Sequence, residues 1–149
     1  MRVERKIKNF IKSLKVCTLA TCKNNRPRAS TVNYVSEGFT LYIRTSRKST
    51  KVRNIKANPR VSVAIDDCGK TRLCIQAEGI ARILGKEEAE KVVNRYFKKG
   101  RKHKKELVDT IIRIDLKRIM FSDYTTKKLK VYKFKVKNNR LLLTSIKVI

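Results

Sequence analysis

The sequence predicts a mainly β (α+β) fold, one barrel with flanking helices occupying residues 1–149 as a single domain. Eight or so short apolar or alternating segments are separated by turn residues, which is the pattern of an antiparallel barrel. Three other stretches carry apolar residues at helical spacing, and the two kinds of segment do not alternate as a parallel sheet requires. Leu, Ile, Val and Phe supply 43 of the 149 residues, well above the ~20% below which chains tend to stay disordered. A core can form.

The elements follow in order. Over residues 2–15, Val3, Ile7, Phe10, Ile11 and Leu14 recur at steps of three and four, one apolar helical stripe among lysines. Val16 to Thr21 reads as a strand and Cys22 to Pro27 as a turn. A second strand, Arg28 to Val35, turns at Glu37-Gly38 into a third, Phe39 to Arg44. Thr45 to Pro59 reads as a short helix that opens with hydroxyls and cations and is ended by the proline. Arg60–Asp66 and Thr71–Leu84 are strands, and Gly79 marks a bulge or bend in the second. Glu87, Glu88 and Glu90 open a helix reaching about Lys99, with acids at the positive end of its dipole. Strands at roughly 110–121, 129–136 and 141–146 complete the chain, the last two joined by a turn at Asn138-Asn139.

Composition excludes several classes. No apolar run exceeds three residues, whereas a membrane-spanning helix needs ~20, so no membrane partner is expected. The charged N-terminus has no apolar segment behind it, which makes the cytoplasm the expected compartment. Cys17, Cys22, Cys68 and Cys74 lack the close pairing of zinc knuckles, and His103 is the only histidine. Buried structural cysteines and no metal are expected.

Catalytic constellations are scarce. No triad, P-loop or dinucleotide fingerprint is present, so any chemistry would come from a bound cofactor. Residues 45–51, Thr-Ser-Arg-Lys-Ser-Thr-Lys, place four hydroxyls and three cations at a strand-to-helix junction. Free N–H groups at a helix start attract anions, and Lys51 adds a point charge. Taken alone, the same stretch also fits an ordinary N-cap, Ser46 or Ser49, beside solvated lysines.

The order of motifs adds to this. The run Leu19-Ala-Thr, Arg26-Pro-Arg-Ala-Ser-Thr-Val-Asn, Leu41-Tyr-Ile-Arg-Thr-Ser, Ser49-Thr-Lys-Val-Arg-Asn-Ile and Asn58-Pro-Arg-Val-Ser-Val resembles the pyridoxamine 5′-phosphate oxidase-like, FMN-binding split-barrel family. Ile112 to Phe121 is similar to that family's late strand. The resemblance implies a six-stranded antiparallel Greek-key split β-barrel, and a homodimer enclosing two FMN molecules at its interface. It implies an oxidoreductase acting on a small molecule, with a deazaflavin or haem as the alternative cofactor.

Carried over by position, Arg28, Ala29, Ser30, Thr31, Val32 and Asn33 would lie along the flavin, with Arg28 reaching toward its phosphate. Thr45, Ser46, Ser49, Thr50 and Lys51 would hold that phosphate, Thr50 standing where the family has Arg. Asn33 replaces a Lys of the oxidases proper, and Cys74 replaces a ring-contacting Gln whose place Gln76 could take. The Trp- and Arg-bearing C-terminal segment of true pyridoxamine phosphate oxidases has no counterpart, since the chain has no Trp. The scaffold is therefore implied and the eponymous substrate is not.

With 39 Lys plus Arg against 12 Asp plus Glu, the net charge is +27. Lys98–Lys105 and Lys127–Lys137 are the densest blocks, and the second puts Lys133, Lys135 and Lys137 on one strand face. A nucleic-acid partner is possible through that face. It is not favoured, because no helix-turn-helix, zinc finger or aromatic platform accompanies it.

Overall fold

In a computed structural model, residues 2–97 and 109–149 are described. They form α1 (Arg2–Ser13), β1 (Val16–Lys23), β2 (Arg26–Asn33), β3 (Val35–Glu37), β4 (Thr40–Ser46) and α2 (Thr50–Ala57). There follow β5 (Arg60–Asp66), β6 (Leu73–Ile83), α3 (Lys86–Tyr96), β7 (Asp109–Asp123), β8 (Lys130–Lys137) and β9 (Arg140–Val148). The basic block Lys98–Lys105, with His103, lies outside the described residues.

One antiparallel sheet runs β2-β1-β5-β6-β7-β4-β3, with β8 added to β7 and β9 to β8. β2 and β4 come into contact across the gap without hydrogen bonding, so the sheet rolls into a split barrel. β2, β1, β5, β6, β7 and β4 are its six strands, β3 is a short extension, and the β8–β9 hairpin is an addition.

The turns explain the strand limits. Asn24-Asn25 and Asn138-Asn139 all have positive φ, between 50° and 59°, the conformation of a two-residue type I′ hairpin turn. β1 therefore runs on to Lys23 and β2 begins at Arg26, two residues earlier than the turn read from Pro27 suggests. The stretch 28–35 is also not one strand. At Tyr34 the backbone N–H turns to Lys15 O and the phenol donates to Ile11 O at 2.6 Å, so β3 leaves β2 and pairs with β4.

Gly79 does mark a bulge: pairing of β6 with β7 shifts between Glu78 and Gly79, and Lys117 of β7 is the unpaired extra residue. A Cβ on Gly79 would lie 2.8 Å from Ile114 Cγ2 and 3.0 Å from Asp115 O, so β7 approaches closer than a side chain would permit. The core is built from inward faces such as Leu19, Val63, Ile75, Ile114 and Phe121, and α1 covers it with Ile7, Phe10 and Ile11. α3 packs with Val92 on a smaller cluster of Tyr42, Leu84 and Ile111. Of the four cysteines only Cys17 is fully buried, and burial pushes its thiol up to about 12. Cys22 and Cys74 take outward strand positions and are partly buried, and Cys68 is exposed in a turn. No helix among the described residues is long and apolar enough to cross a membrane.

Two carboxylates tie α1 to the sheet. Glu4 accepts the Leu141 N–H at 3.0 Å and Lys8 Nζ at 3.0 Å, and Asp123 accepts Lys6 Nζ at 2.6 Å. The Leu141 N–H and then Lys8 hold Glu4 below its usual 4.5. At Asp123, burial works against the charge, but the bonds from Lys6 and Thr125 outweigh it and hold the group below its usual 3.8. The unfolded chain thus takes up these protons more readily than the folded one. The stability they confer is complete above the usual carboxylate range and is lost as pH falls through the lowered folded values. In urea titrations the midpoint should hold between pH 7 and about 5 and fall below about 4. Glu4→Gln with Asp123→Asn should lower the midpoint at pH 7 and flatten that acid fall.

Candidate functional site

β4 hands the chain to α2 through residues 47–49. Ser46 closes the turn: its carbonyl accepts the Ser49 N–H at 3.0 Å and its hydroxyl accepts the Lys48 N–H at 3.3 Å. The helix begins at Thr50, so Thr45 and Ser46 end the strand, paired with Thr110 and Asp109 of β7, and do not open the helix. Ser49 is the N-cap, yet its side chain caps nothing: Oγ is buried and has no hydrogen-bond partner. The N–H groups of Thr50, Lys51 and Val52 have no intrahelical acceptor, and no acid sits in the first turn. The half-exposed Lys51 makes no ion pair among the described residues. A buried orphan hydroxyl, free amides and an unpaired cation at the positive end of a helix suit an anion.

Arg53 joins this turn although the motif alone does not mark it. Its guanidinium donates to Lys48 O at 2.8 Å and to Thr50 Oγ1 at 3.2 Å, spanning the helix start. Thr50 stands where an Arg is expected from the motif, and Arg53, three residues on, brings a guanidinium back to the same turn. The i, i+3 spacing is the signal that could have found it.

α2 is pinned to the barrel by a buried polar contact: Asn54 Nδ2 donates to Thr21 Oγ1 at 3.0 Å. Thr21 is the register partner of Arg28, so the α2 side of the sheet is also the side toward which Arg28 stands, with Ser30 and Val32 on the same parity. The structure thus brings Arg28 to the side of the barrel on which α2 lies. Val32 is only 9% exposed and belongs to the core, so its backbone alone is available.

Ala29, Thr31 and Asn33 stand on the opposite, outward face of β2. Cys74 and Gln76 share that face of the sheet, in the lateral row Thr31–Thr18–Ala64–Gln76, but β1 and β5 intervene. Three strand spacings of about 4.8 Å separate the two groups. Burial raises the Cys74 thiol above its usual value. β2 is an edge strand, and its outward N–H and C=O groups are unpaired within the sheet. Among the described residues no group of three or more His, Cys, Asp or Glu could hold a metal ion.

A family model described as Pyridoxamine 5′-phosphate oxidase matches residues 3–123. The chain belongs to that family. The family match ends with the last residue of β7, so the β8–β9 hairpin lies beyond it. Among relatives, General stress protein 26 of Bacillus subtilis (strain 168) is 27% identical over 88 residues, or 58% of this chain. The chain spans 63% of the length of that curated relative. The structure of General Stress Protein 26 from Bacillus anthracis superposes with a TM-score of 0.69 at 24% identity, over 81% of this chain and 94% of that one. A pyridoxamine 5′-phosphate oxidase-related, FMN binding protein from Nostoc punctiforme superposes with a TM-score of 0.67 at 14% identity, covering 99% and 95% of the two chains. At these identities the solved structures establish a shared split-barrel fold.

The Asn54–Thr21 contact ties α2 to the sheet, and its removal should be measurable. Asn54→Ala leaves the buried Thr21 hydroxyl without its donor and should cost about 1–3 kcal/mol in chemical denaturation. Replacing both partners with apolar groups of similar shape, Asn54→Leu with Thr21→Val, should recover much of that loss.

Proposed function

We propose that the protein binds FMN with the phosphate at residues 45–51 and serves as a flavin-dependent oxidoreductase of a small molecule. The observation that carries the reading is the orphan Ser49 hydroxyl, buried at a helix start that has free amides and the unpaired Lys51. Family membership supports it, as does the FMN binding of the Nostoc protein, whose chain is covered almost end to end.

In this reading Thr45, Ser46, Ser49 and Thr50 surround the phosphate with hydroxyls, Lys51 and Arg28 supply its countercharge, and Arg53 stiffens the turn. The ring lies along the outward edge of β2, against Ala29, Thr31 and Asn33 and the backbone of Ser30 and Val32. FMN supplies the two-electron chemistry, and the chain's own groups bind and orient it. Because β1 and β5 separate Cys74 and Gln76 from β2, those two side chains serve the flavin held by the other subunit of a homodimer. The outward row Thr31–Thr18–Ala64–Gln76–Met120 suits such an interface, being uncharged in a chain of net charge +27.

Lys51 gives the sharpest test. A charge-assisted contact to a phosphate is worth roughly 1.5–3 kcal/mol, so Lys51→Ala should weaken FMN about ten- to a hundredfold. Riboflavin, which lacks the phosphate, should bind the variant as it binds the wild type. Lys48→Ala, in the exposed turn before the helix, is the control and should change neither. Fluorescence-quenching titrations at fixed salt measure all three, and equal losses for FMN and riboflavin would move the phosphate elsewhere. For the assembly, light scattering of the FMN-loaded protein should report twice the 17.3 kDa chain mass. A monomer with flavin bound would contradict the shared site.

A further inference from the structure

We infer that the outward face of the sheet carries a second binding site, a cleft for a compact organic anion with an apolar body. The cleft is open to solvent on one side and has a volume of about 680 Å³, within the roughly 300–1,000 Å³ of small-molecule sites. None of the residues assigned above to the flavin lines it, so it does not rest on that reading.

The concavity follows from side-chain height. Ala20 of β1 and Ser62 of β5 are register partners and point outward, so two adjacent strands present short side chains side by side. Taller groups stand around them: Pro27 on β2, Ile80 on β6, Arg60 on β5, and Arg118 on β7. The bulge completes the wall. The extra residue Lys117 puts two consecutive cations, Lys117 and Arg118, at the cleft where regular alternation would supply one.

The lining chemistry is divided. Pro27, Ala20 and Ile80 give an apolar side, and Ile80 is 41% exposed, a large aliphatic group uncovered on a strand face. Arg60, Lys117 and Arg118 give three cations, none in an ion pair among the described residues, against the single acid Glu78. The Ser62 hydroxyl donates to Ala77 O at 3.0 Å and so faces the cleft as an acceptor. Arg118 presents the planar fork that matches a carboxylate, phosphate or sulfonate oxygen pair. Among the described residues no aromatic side chain lines the cleft, which favours a small molecule over stacked nucleic-acid bases.

The probe is 8-anilinonaphthalene-1-sulfonate, an apolar body with one anionic group. N-phenyl-1-naphthylamine is the same body without the charge. In ¹H–¹⁵N spectra of the full chain, the sulfonate should shift the Ala20, Ser62 and Gly79 amides saturably. Arg118→Ala should weaken it about ten- to a hundredfold and leave the neutral analogue within about twofold. Lys135→Ala removes the same charge at the register partner of Arg118, outside the cleft, and should stay within about twofold for both. Arg60→Ala is a second exposed variant and should reproduce the selective loss. Shifts confined to β9, or equal losses for Arg118→Ala and Lys135→Ala, would overturn the site. So would a thymidine oligonucleotide of about ten residues whose binding depends evenly on Lys133, Lys135 and Lys137, since that assigns the face to nucleic acid.

Discussion

Strand β7 changes partner in mid-course, and the barrel depends on that change. Along one edge it pairs with β6 over nearly its whole length. Along the other it holds β4 from Asp109 to Asp115 and β8 from Arg118 to Asp123. The bulge at Lys117 lies between the two partners. Leu116 there donates its N–H to Phe39 O, closing the end of β4 against the strand it is leaving. Without that exchange β4 and β8 would compete for one edge, and the segment carrying Thr45 and Ser46 would lose the strand that fixes it beside α2.

The scarce acids are spent on structure. Glu4 and Asp123 hold α1, Asp115 takes Thr40 and Arg113, Glu88 takes Arg82, and Glu37 takes Tyr96 and Arg95. Burial and the Glu37 hydrogen bond push the Tyr96 phenol up to about 12, so it stays a donor to that carboxylate well into the alkaline range. Residues 45–51 contain no acid, and the cleft has one among the described residues. Lys51 at the one and Arg60, Lys117 and Arg118 at the other therefore keep charge that no ion pair among the described residues balances.

Much of this was legible in the residues because the signals were local. The α1 stripe, the Asn138-Asn139 turn, the Gly79 bulge and the outward Lys133, Lys135 and Lys137 each follow from a periodicity or a backbone preference within a few positions. The hydroxyls and cations of residues 45–51 were legible as residue types. What was not legible depended on distance in sequence. Asn54 meets Thr21 across 33 positions, Tyr34 is drawn off β2 by Ile11, and Ala20 lies beside Ser62 only after the sheet assembles. The Cys22–Pro27 turn was misplaced for a different reason. Two asparagines with positive φ make a tight turn of their own, so the proline falls into an edge strand, where its missing N–H costs no ladder bond.

Lys117 also acts as a phase shifter. Before it, the side chains directed into the main core carry even numbers: Ile112, Ile114 and Leu116. After it they carry odd ones: Ile119 and Phe121. A single-codon deletion at this position would keep the pairing frame, because it joins Leu116 directly to Arg118, which already face the neighbours Gly79 and Glu78. Everything downstream on the strand would keep its partner and its face, Arg118 and Met120 outward and Ile119 and Phe121 in the core, and the loss would be the local bend and the second cation at the cleft. Point changes of Lys117 leave that frame intact. As far as pairing goes the position is therefore open to substitution and to loss alike, and only the bend depends on a residue being there.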